Sequence, residues 1–331
     1  MKRILLVLGI VILGAVGWIF YQNSYDMKQE EVTIQTKKNT LHGALALPKE
    51  KEKPGLIIFV HGDGPVNVTY DDGYLPLWEE LAKKGYASLA WDKPGIGKST
   101  GDWLDQSMEN RANEVIEVIQ WAKKNLDIDP KKIGLWGASQ GGWVVPKVAN
   151  ASDDVSFSIL VSPAINWIEQ GKYYTEKSMA SAGATKEEIN QRMKNNEKVL
   201  ELLLKNSNYE DYQNLTNDKG DISKERWNFI KKNVNSDATK DLSETKKPVK
   251  LIVGGRDENV DIKNTMEVYK KEIRKELLSV SYLPEANHSM LKPQYVNSEF
   301  GLLMKSIFDP RGLFDDEYVK SVSEFVNKMN R

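Results

Sequence analysis

The sequence predicts an α/β fold: a mostly parallel, eight-stranded sheet with helices on both faces and a helical block inserted late in the chain. Three observations carry this. From Glu31 onward, short β-branched apolar runs alternate with amphipathic helical stretches. The run Gly55–Val60 (GLIIFV) is apolar without interruption, as a strand covered on both faces must be. Between Ser162 and Lys247 the strand pattern stops for roughly eighty residues, too long for a plain loop in a compact domain.

Taken in order, Glu31–Thr36 alternates polar and apolar residues and reads as a first strand, with Leu41–Leu47 as the second. Gly55–Val60 is the third and ends at His61-Gly62. A Gly/Pro/Asp-rich loop precedes a helix over Leu75–Lys84, closed by Gly85. Tyr86–Trp91 is the next strand, and Asp92-Lys93-Pro94-Gly95-Ile96-Gly97 holds too many breakers to be anything but loop. Val115, Ile116, Val118, Ile119 and Ala122 recur at helical spacing, giving a crossover helix over Met108–Leu126. Lys132–Trp136 is a strand, Ser139–Ala149 a helix and Val155–Val161 a strand. After the block, strands resume at Pro248–Val253 and Leu277–Leu283, separated by a helical Lys263–Lys275, and Glu317–Met329 is a closing helix. The expected organisation is an N-terminal segment over 1–27, a core in two parts, 28–162 and 248–331, and an inserted helical unit over 163–247.

The 331 residues are 40% hydrophobic and 28% charged, enough for one large domain with an insertion. Lysine plus arginine (46) nearly balance aspartate plus glutamate (47), so a net charge of −1 speaks against a nucleic-acid partner. The absence of cysteine excludes disulfides, thiolate metal sites and a cysteine nucleophile. Lys2 and Arg3 precede Ile4–Tyr21, a stretch without charge. As a helix it would reach roughly 27 Å, close to the thickness of a bilayer's hydrocarbon. The expectation is a single-pass anchor in a bacterial cell membrane through residues 4–21, with the bulk of the chain outside. The alternative is a secretory signal cut near Ala15-Val16-Gly17.

Gly137-Ala138-Ser139-Gln140-Gly141 fits the G-x-S-x-G pattern and stands between a buried strand and a helix, the context that the pattern requires. A strand that reverses into a helix within three residues strains the backbone at Ser139 and lifts its hydroxyl above the sheet edge. The amide of Gln140, at a helix N-terminus where N–H groups lack partners, points toward an oxyanion formed there. Gly97-Lys98-Ser99 tempts toward a phosphate-binding loop, but the first glycine of that motif falls on Asp92, so no nucleotide is expected. No H-E-x-x-H or EF-hand pattern occurs and only three histidines are present, so neither a catalytic metal nor a cofactor is expected.

These residues resemble an α/β-hydrolase of the serine esterase and peptidase type. The matching features are His61-Gly62 after the third strand, Gly95–Ser99 after the fourth and Gly137–Gly141 after the fifth, with Asp257 and Asn287-His288 after the last two. The resemblance covers about Glu31 to Arg331 and is weakest in the inserted block. It implies Ser139 as nucleophile, His288 as base and Asp257 as the acid that orients the imidazole. Of the other histidines, His42 lies within an early strand and His61 falls in the oxyanion loop. Glu258 and Asp261 lie close enough to Asp257 to be confused with it. The second oxyanion donor implied is the amide of Asp63, whose carboxylate is expected to turn away from the developing charge.

In such a fold the inserted helices form a lid over the nucleophile. Trp167, Tyr173 and Tyr174 are candidates to line the substrate pocket, with Met179, Trp227 and Phe229 as further aromatic or soft residues of the lid. The expected reaction is hydrolysis of a carboxylic ester of moderate size through an acyl-enzyme. A peptidase or acyltransferase using the same triad is the first alternative, and an inactive membrane-tethered binding protein is the second.

Overall fold

The computed structural model describes residues 2–217, 222–296 and 298–330. Helix α1 (Lys2–Gln22) leads into strands β1 (Lys28–Gln35), β2 (Thr40–Leu47) and β3 (Gly55–Val60). Next come α2 (Leu75–Lys83), β4 (Tyr86–Trp91), α3 (Met108–Asn125) and β5 (Ile133–Ala138). A 3₁₀ turn over Ser139–Trp143 precedes α4 (Val145–Ala151) and β6 (Val155–Val161). The inserted block carries α5 (Trp167–Ser181), α6 (Lys186–Leu204), α7 (Tyr209–Thr216), α8 (Lys224–Asn233) and α9 (Thr239–Ser243). The chain closes with β7 (Val249–Gly254), α10 (Ile262–Glu272), β8 (Leu278–Leu283), α11 (Pro293–Val296), α12 (Glu299–Phe308) and α13 (Asp316–Met329).

The strands form one eight-stranded sheet in the order β1-β2-β4-β3-β5-β6-β7-β8. β1 pairs antiparallel with β2, and β2 with β4. Every later pairing is parallel, because each of those connections is long enough to carry a helix back across the sheet. Parallel register sets strand ends level: Val60 faces Gly137, Ala138 faces Val161, and Gly254 faces Leu283. The loops that leave β3, β5, β7 and β8 therefore emerge along one edge.

The period of two along each strand divides the core between the two faces. Leu56, Ile58 and Val60 of β3 pack with α3 and α4 residues such as Val115, Val118 and Val148. Ile57 and Phe59 pack on the other face with Trp78 of α2 and Val322 and Phe325 of α13. The inserted block has a small cluster of its own, Leu203, Tyr212, Trp227 and Val234. Helix α3 begins with a capping box: the Ser107 hydroxyl accepts from the Asn110 amide at 3.1 Å while the Asn110 side chain accepts from the Ser107 amide at 3.2 Å.

Two sequence expectations need correction here. Among the described residues no helix is long and apolar enough to cross a membrane, which overturns the expected single-pass anchor, its membrane partner and the localisation built on them. The carboxyl end of α1 is instead tied to the folded body. The Trp18 indole donates to the Phe308 carbonyl at 2.8 Å and the Asn23 amide to that of Ile307 at 2.8 Å. Arg311 donates to the carbonyls of Gln22 and Ser24 at 2.6 and 2.8 Å while gripping Glu79 at 2.6 Å. Second, the segment after Ser139 is not one helix: a 3₁₀ turn runs to Trp143 before α4 begins, with Pro146 in its first turn. Helix α12 is an element that the sequence reading lacked. Its sequence, EFGLLMKSIF, gathers Phe300, Leu303, Met304 and Ile307 on one side, and that side is exposed.

Candidate active site

Ser139 stands where β5 ends and the 3₁₀ turn begins, with φ +51. A serine in the left-handed region is uncommon and costs energy that the surroundings must hold in place. The surroundings are tight. A Cβ added to Gly141 would stand 2.9 Å from the Val60 carbonyl oxygen, and one on Gly137 would stand 2.6 Å from Val145 Cγ2. The two glycines flanking Ser139 thus let the turn fold against β3 and α4. A Cβ placed on Gly62 would lie 3.4 Å from Ser139 Cβ, so the loop leaving β3 lies directly beside the serine.

On the same edge, Asp257 and His288 meet. His288 Nδ1 lies 2.8 Å from Asp257 Oδ2, and the Asp257 side chain is fully buried. The other carboxylate oxygen, Oδ1, accepts from the amides of Asn259 at 2.8 Å and Val260 at 2.9 Å. Because a carboxylate only accepts, the ring proton sits on Nδ1, and Nε2 is left as an acceptor. The two neighbouring carboxylates have other duties. Asp261 caps α10, accepting from Lys263 and Asn264 at 3.0 and 3.1 Å, and Glu258 accepts from the Ser181 hydroxyl at 2.7 Å.

The loop after β3 is held from several sides. The His61 ring is buried, with Nε2 2.7 Å from the Trp91 carbonyl and Nδ1 3.1 Å from the Tyr74 hydroxyl. A carbonyl can only accept, so Nε2 carries the proton and Nδ1 accepts from Tyr74. Burial, with the nearby Lys93 charge, pulls the His61 pKa down to about 3, so the ring is neutral. Asp63 turns its carboxylate to Arg226 of α8, with one contact at 2.9 Å and a second, shorter one, and Oδ1 also accepts from Gln140 Nε2 at 3.1 Å. Desolvation would raise its pKa, but the Arg226 bonds and charge outweigh it and hold the carboxyl below its ordinary value.

The other residues singled out in the sequence fall as follows. Trp167 stacks on Trp143 of the 3₁₀ turn, centroids 5.0 Å apart, and its backbone N–H donates to the Ser236 carbonyl at 3.0 Å. The Tyr173 hydroxyl donates to the Asp257 carbonyl at 3.1 Å, and Tyr174 is exposed. Trp227 and Phe229 are fully buried, in the block's own cluster and the main core respectively. His42 bridges Asp92 and Glu31 at 3.0 and 3.1 Å on the β2 side of the sheet. The Asp92 carboxylate fills the glycine loop after β4, accepting from the amides of Val68 at 2.8 Å and Lys98 at 3.2 Å.

Sequence reading missed Lys93, Arg111 and Arg226. Arg111 left a signal: it lies on the same α3 stripe as Val115, Val118 and Ala122, a charge on an otherwise mostly apolar face that it shares with Glu114. Lys93 stands two residues past a buried strand, in a loop read for its glycines and other breakers. Arg226 looks like any charge on a solvated helix.

The fold is that of the α/β-hydrolases, and comparisons with known proteins agree. The solved esterase Pf2001 of Pyrococcus furiosus superposes with a TM-score of 0.58 at 19% identity, covering 91% of each chain. Polyketide transferase grgF of Penicillium is 30% identical over 128 residues, 38% of this chain and 42% of that protein. An uncharacterized 31.7 kDa protein of Escherichia coli, from the traX-finO intergenic region, is 36% identical over 98 residues, 29% of this chain. The match spans about a third of that relative, 32% of its length. The family model described as X-Pro dipeptidyl-peptidase (S15 family) matches residues 14–289, a span that contains Ser139, Asp257 and His288. The chain belongs to this S15 family of serine hydrolases.

Proposed function

We propose that the protein hydrolyses carboxylic esters through an acyl-enzyme on Ser139, with His288 as general base and acid and Asp257 as its orienting partner. The observation that carries the reading is the His288–Asp257 bond of 2.8 Å at the sheet edge where Ser139 sits at φ +51. In the proposed cycle, His288 Nε2 takes the Ser139 proton as the hydroxyl oxygen attacks the ester carbonyl. The oxyanion is met by the backbone amides of Asp63 and Gln140. Collapse expels the alcohol, which receives the proton from His288, and leaves acyl-Ser139. A water that His288 deprotonates then releases the acid and restores the serine. Arg226 neutralises the Asp63 carboxylate, so that side chain does not oppose the developing charge. The helices α5 to α9 act as a lid, with Trp167, Tyr173 and Tyr174 facing or supporting the substrate cavity.

A second reading is peptidase action, supported by the family's description, and acyl transfer is supported by the name of the Penicillium relative. Release of an N-terminal dipeptide calls for a carboxylate free to hold the substrate's ammonium group. Asp63, the carboxylate beside the serine turn, is already paired with Arg226, which favours the ester reading. The test compares p-nitrophenyl esters of short and long acyl chains with an X-Pro p-nitroanilide, on the full chain. Ester turnover should dominate, and Ser139→Ala should lose ~10⁴-fold or more. Retained activity in that variant refutes the assignment of the nucleophile.

A further inference from the structure

Two buried cations lie beneath the loop that follows β3, and neither has a part in the proposed proton transfers. Lys93 is 3% exposed and Arg111 6%. Lys93 Nζ donates to the Gly62 carbonyl at 2.6 Å and to the Gly64 carbonyl at 2.9 Å. Arg111 donates through one nitrogen to the His61 carbonyl at 2.6 Å and through another to Gln140 Oε1 at 2.5 Å. From these contacts we infer that Lys93 and Arg111 are positioning residues that set the direction of the two oxyanion amides, those of Asp63 and Gln140. The inference rests on the reading of Ser139 as nucleophile and deepens it.

The argument begins with the peptide plane. The Gly62 carbonyl and the Asp63 N–H belong to one trans peptide unit, so they point in opposite directions. A cation that grips the carbonyl from below therefore fixes where the amide aims above. It also polarises that unit and strengthens the N–H as a donor. Arg111 does the matching work for the second donor. It holds the Gln140 side chain while gripping the neighbouring His61–Gly62 peptide, and Gln140 Nε2 closes the circuit onto Asp63 at 3.1 Å. One connected network thus spans both residues whose amides face the oxyanion.

The energetics point the same way. Desolvating a cation is costly, and a site that served packing alone would be filled as well by an apolar side chain. Burial pushes the Lys93 ammonium well below its usual range, with the Arg111 charge adding to the effect. The Glu114 carboxylate, which accepts from Trp91 Nε1 at 3.0 Å and Gln106 Nε2 at 2.9 Å, offsets part of this charge. An oxyanion hole works because its donors are aimed before the charge forms, and such aim is what rigid carbonyl grips supply.

The test uses the full chain with Lys93→Met and, in case that variant does not fold, Lys93→Gln, whose amide can reach one of the two carbonyls. Active sites are counted by fluorophosphonate titration so that rates refer to folded enzyme. Each variant is expected to lose ~10²-fold in kcat, the scale of one missing oxyanion donor, with KM within about threefold of wild type. Binding of a trifluoromethyl ketone, which forms a tetrahedral oxyanion adduct, should weaken by the same factor, and binding of the matching methyl ketone should barely move. The inference is overturned if kcat per active site stays within about threefold of wild type, or if kcat falls while trifluoromethyl ketone binding does not. Ser139→Ala serves as the separate control: activity retained there refutes the nucleophile itself, whatever Lys93 does, and the inference falls with it.

Discussion

Replacing Asp257 by asparagine tests the proposed triad through its hydrogen bonds rather than its shape. Oδ1 of Asp257 accepts from two backbone amides, Asn259 at 2.8 Å and Val260 at 2.9 Å, and those donors stay in place in the variant. The asparagine must therefore keep its carbonyl oxygen on them and turn its NH₂ toward His288. Nδ1 of His288, 2.8 Å away, then has to accept, which moves the ring proton to Nε2. An Nε2 that carries a proton cannot take one from Ser139. The loss is expected near 10⁴-fold in kcat, the scale seen when a triad imidazole is held in the wrong tautomer, or about 5.5 kcal/mol in activation free energy. Because both amides remain satisfied, stability should change little. Ester hydrolysis at neutral pH, with melting temperature alongside, makes the comparison. Glu258→Gln is the control, since Glu258 meets only the Ser181 hydroxyl among the described hydrogen bonds and should cost less than about threefold. Asp257→Asn with activity within tenfold of wild type would refute the assignment of Asp257 and the tautomer argument together.

Three further outcomes follow from the geometry. Arg226→Met strips the charged partner from the Asp63 carboxylate beside the proposed oxyanion amides and should lower kcat by about tenfold, with Asp63→Asn in the same background recovering most of the loss; no recovery would dismiss the charge argument. Gly141→Ala drives a Cβ to 2.9 Å from the Val60 oxygen, so urea unfolding should reveal a loss of about 1–3 kcal/mol, and an unchanged midpoint would contradict the packing described. His61 has a folded pKa of about 3 against an ordinary 6.5, so below 6.5 the unfolded chain takes up a proton that the folded one refuses. Stability is thus intact above that value and falls as pH drops from 6.5 toward 3, by about 2 kcal/mol at pH 5 from this group. In His61→Gln the difference between urea midpoints at pH 7 and pH 5 should shrink accordingly, and an unchanged difference would rule out His61 as its source.

Local chemistry made much of this molecule legible. The central strands β3 to β7 could be found from their largely apolar runs because a strand covered on both faces admits little that is polar, and Gly55–Val60, Tyr86–Trp91 and Val155–Val161 were bounded to the residue. The serine turn was readable because its demands, a strand, two glycines and a helical start, all fall within a few neighbouring positions. The N-terminal stretch misled because apolar content alone does not say what a helix end is bonded to: Trp18, Asn23 and Arg311 join segments nearly three hundred residues apart. Helix α12 escaped because its ten residues are fewer than the roughly 11–18 over which a helical period is counted.

By itself, then, the sequence determined the layers of the fold and the loops from which candidate chemistry must come, since those depend on periodicity and on residues close in the chain. Tertiary structure alone decided which carboxylate meets His288, with Asp261 taken as a helix cap and Glu258 turned to Ser181. It alone joined Asp63 to Arg226, and Lys93 and Arg111 to the carbonyls behind the serine loop. The physical reason is that hydrogen bonds and ion pairs act over about 3 Å of space and are indifferent to separation along the chain.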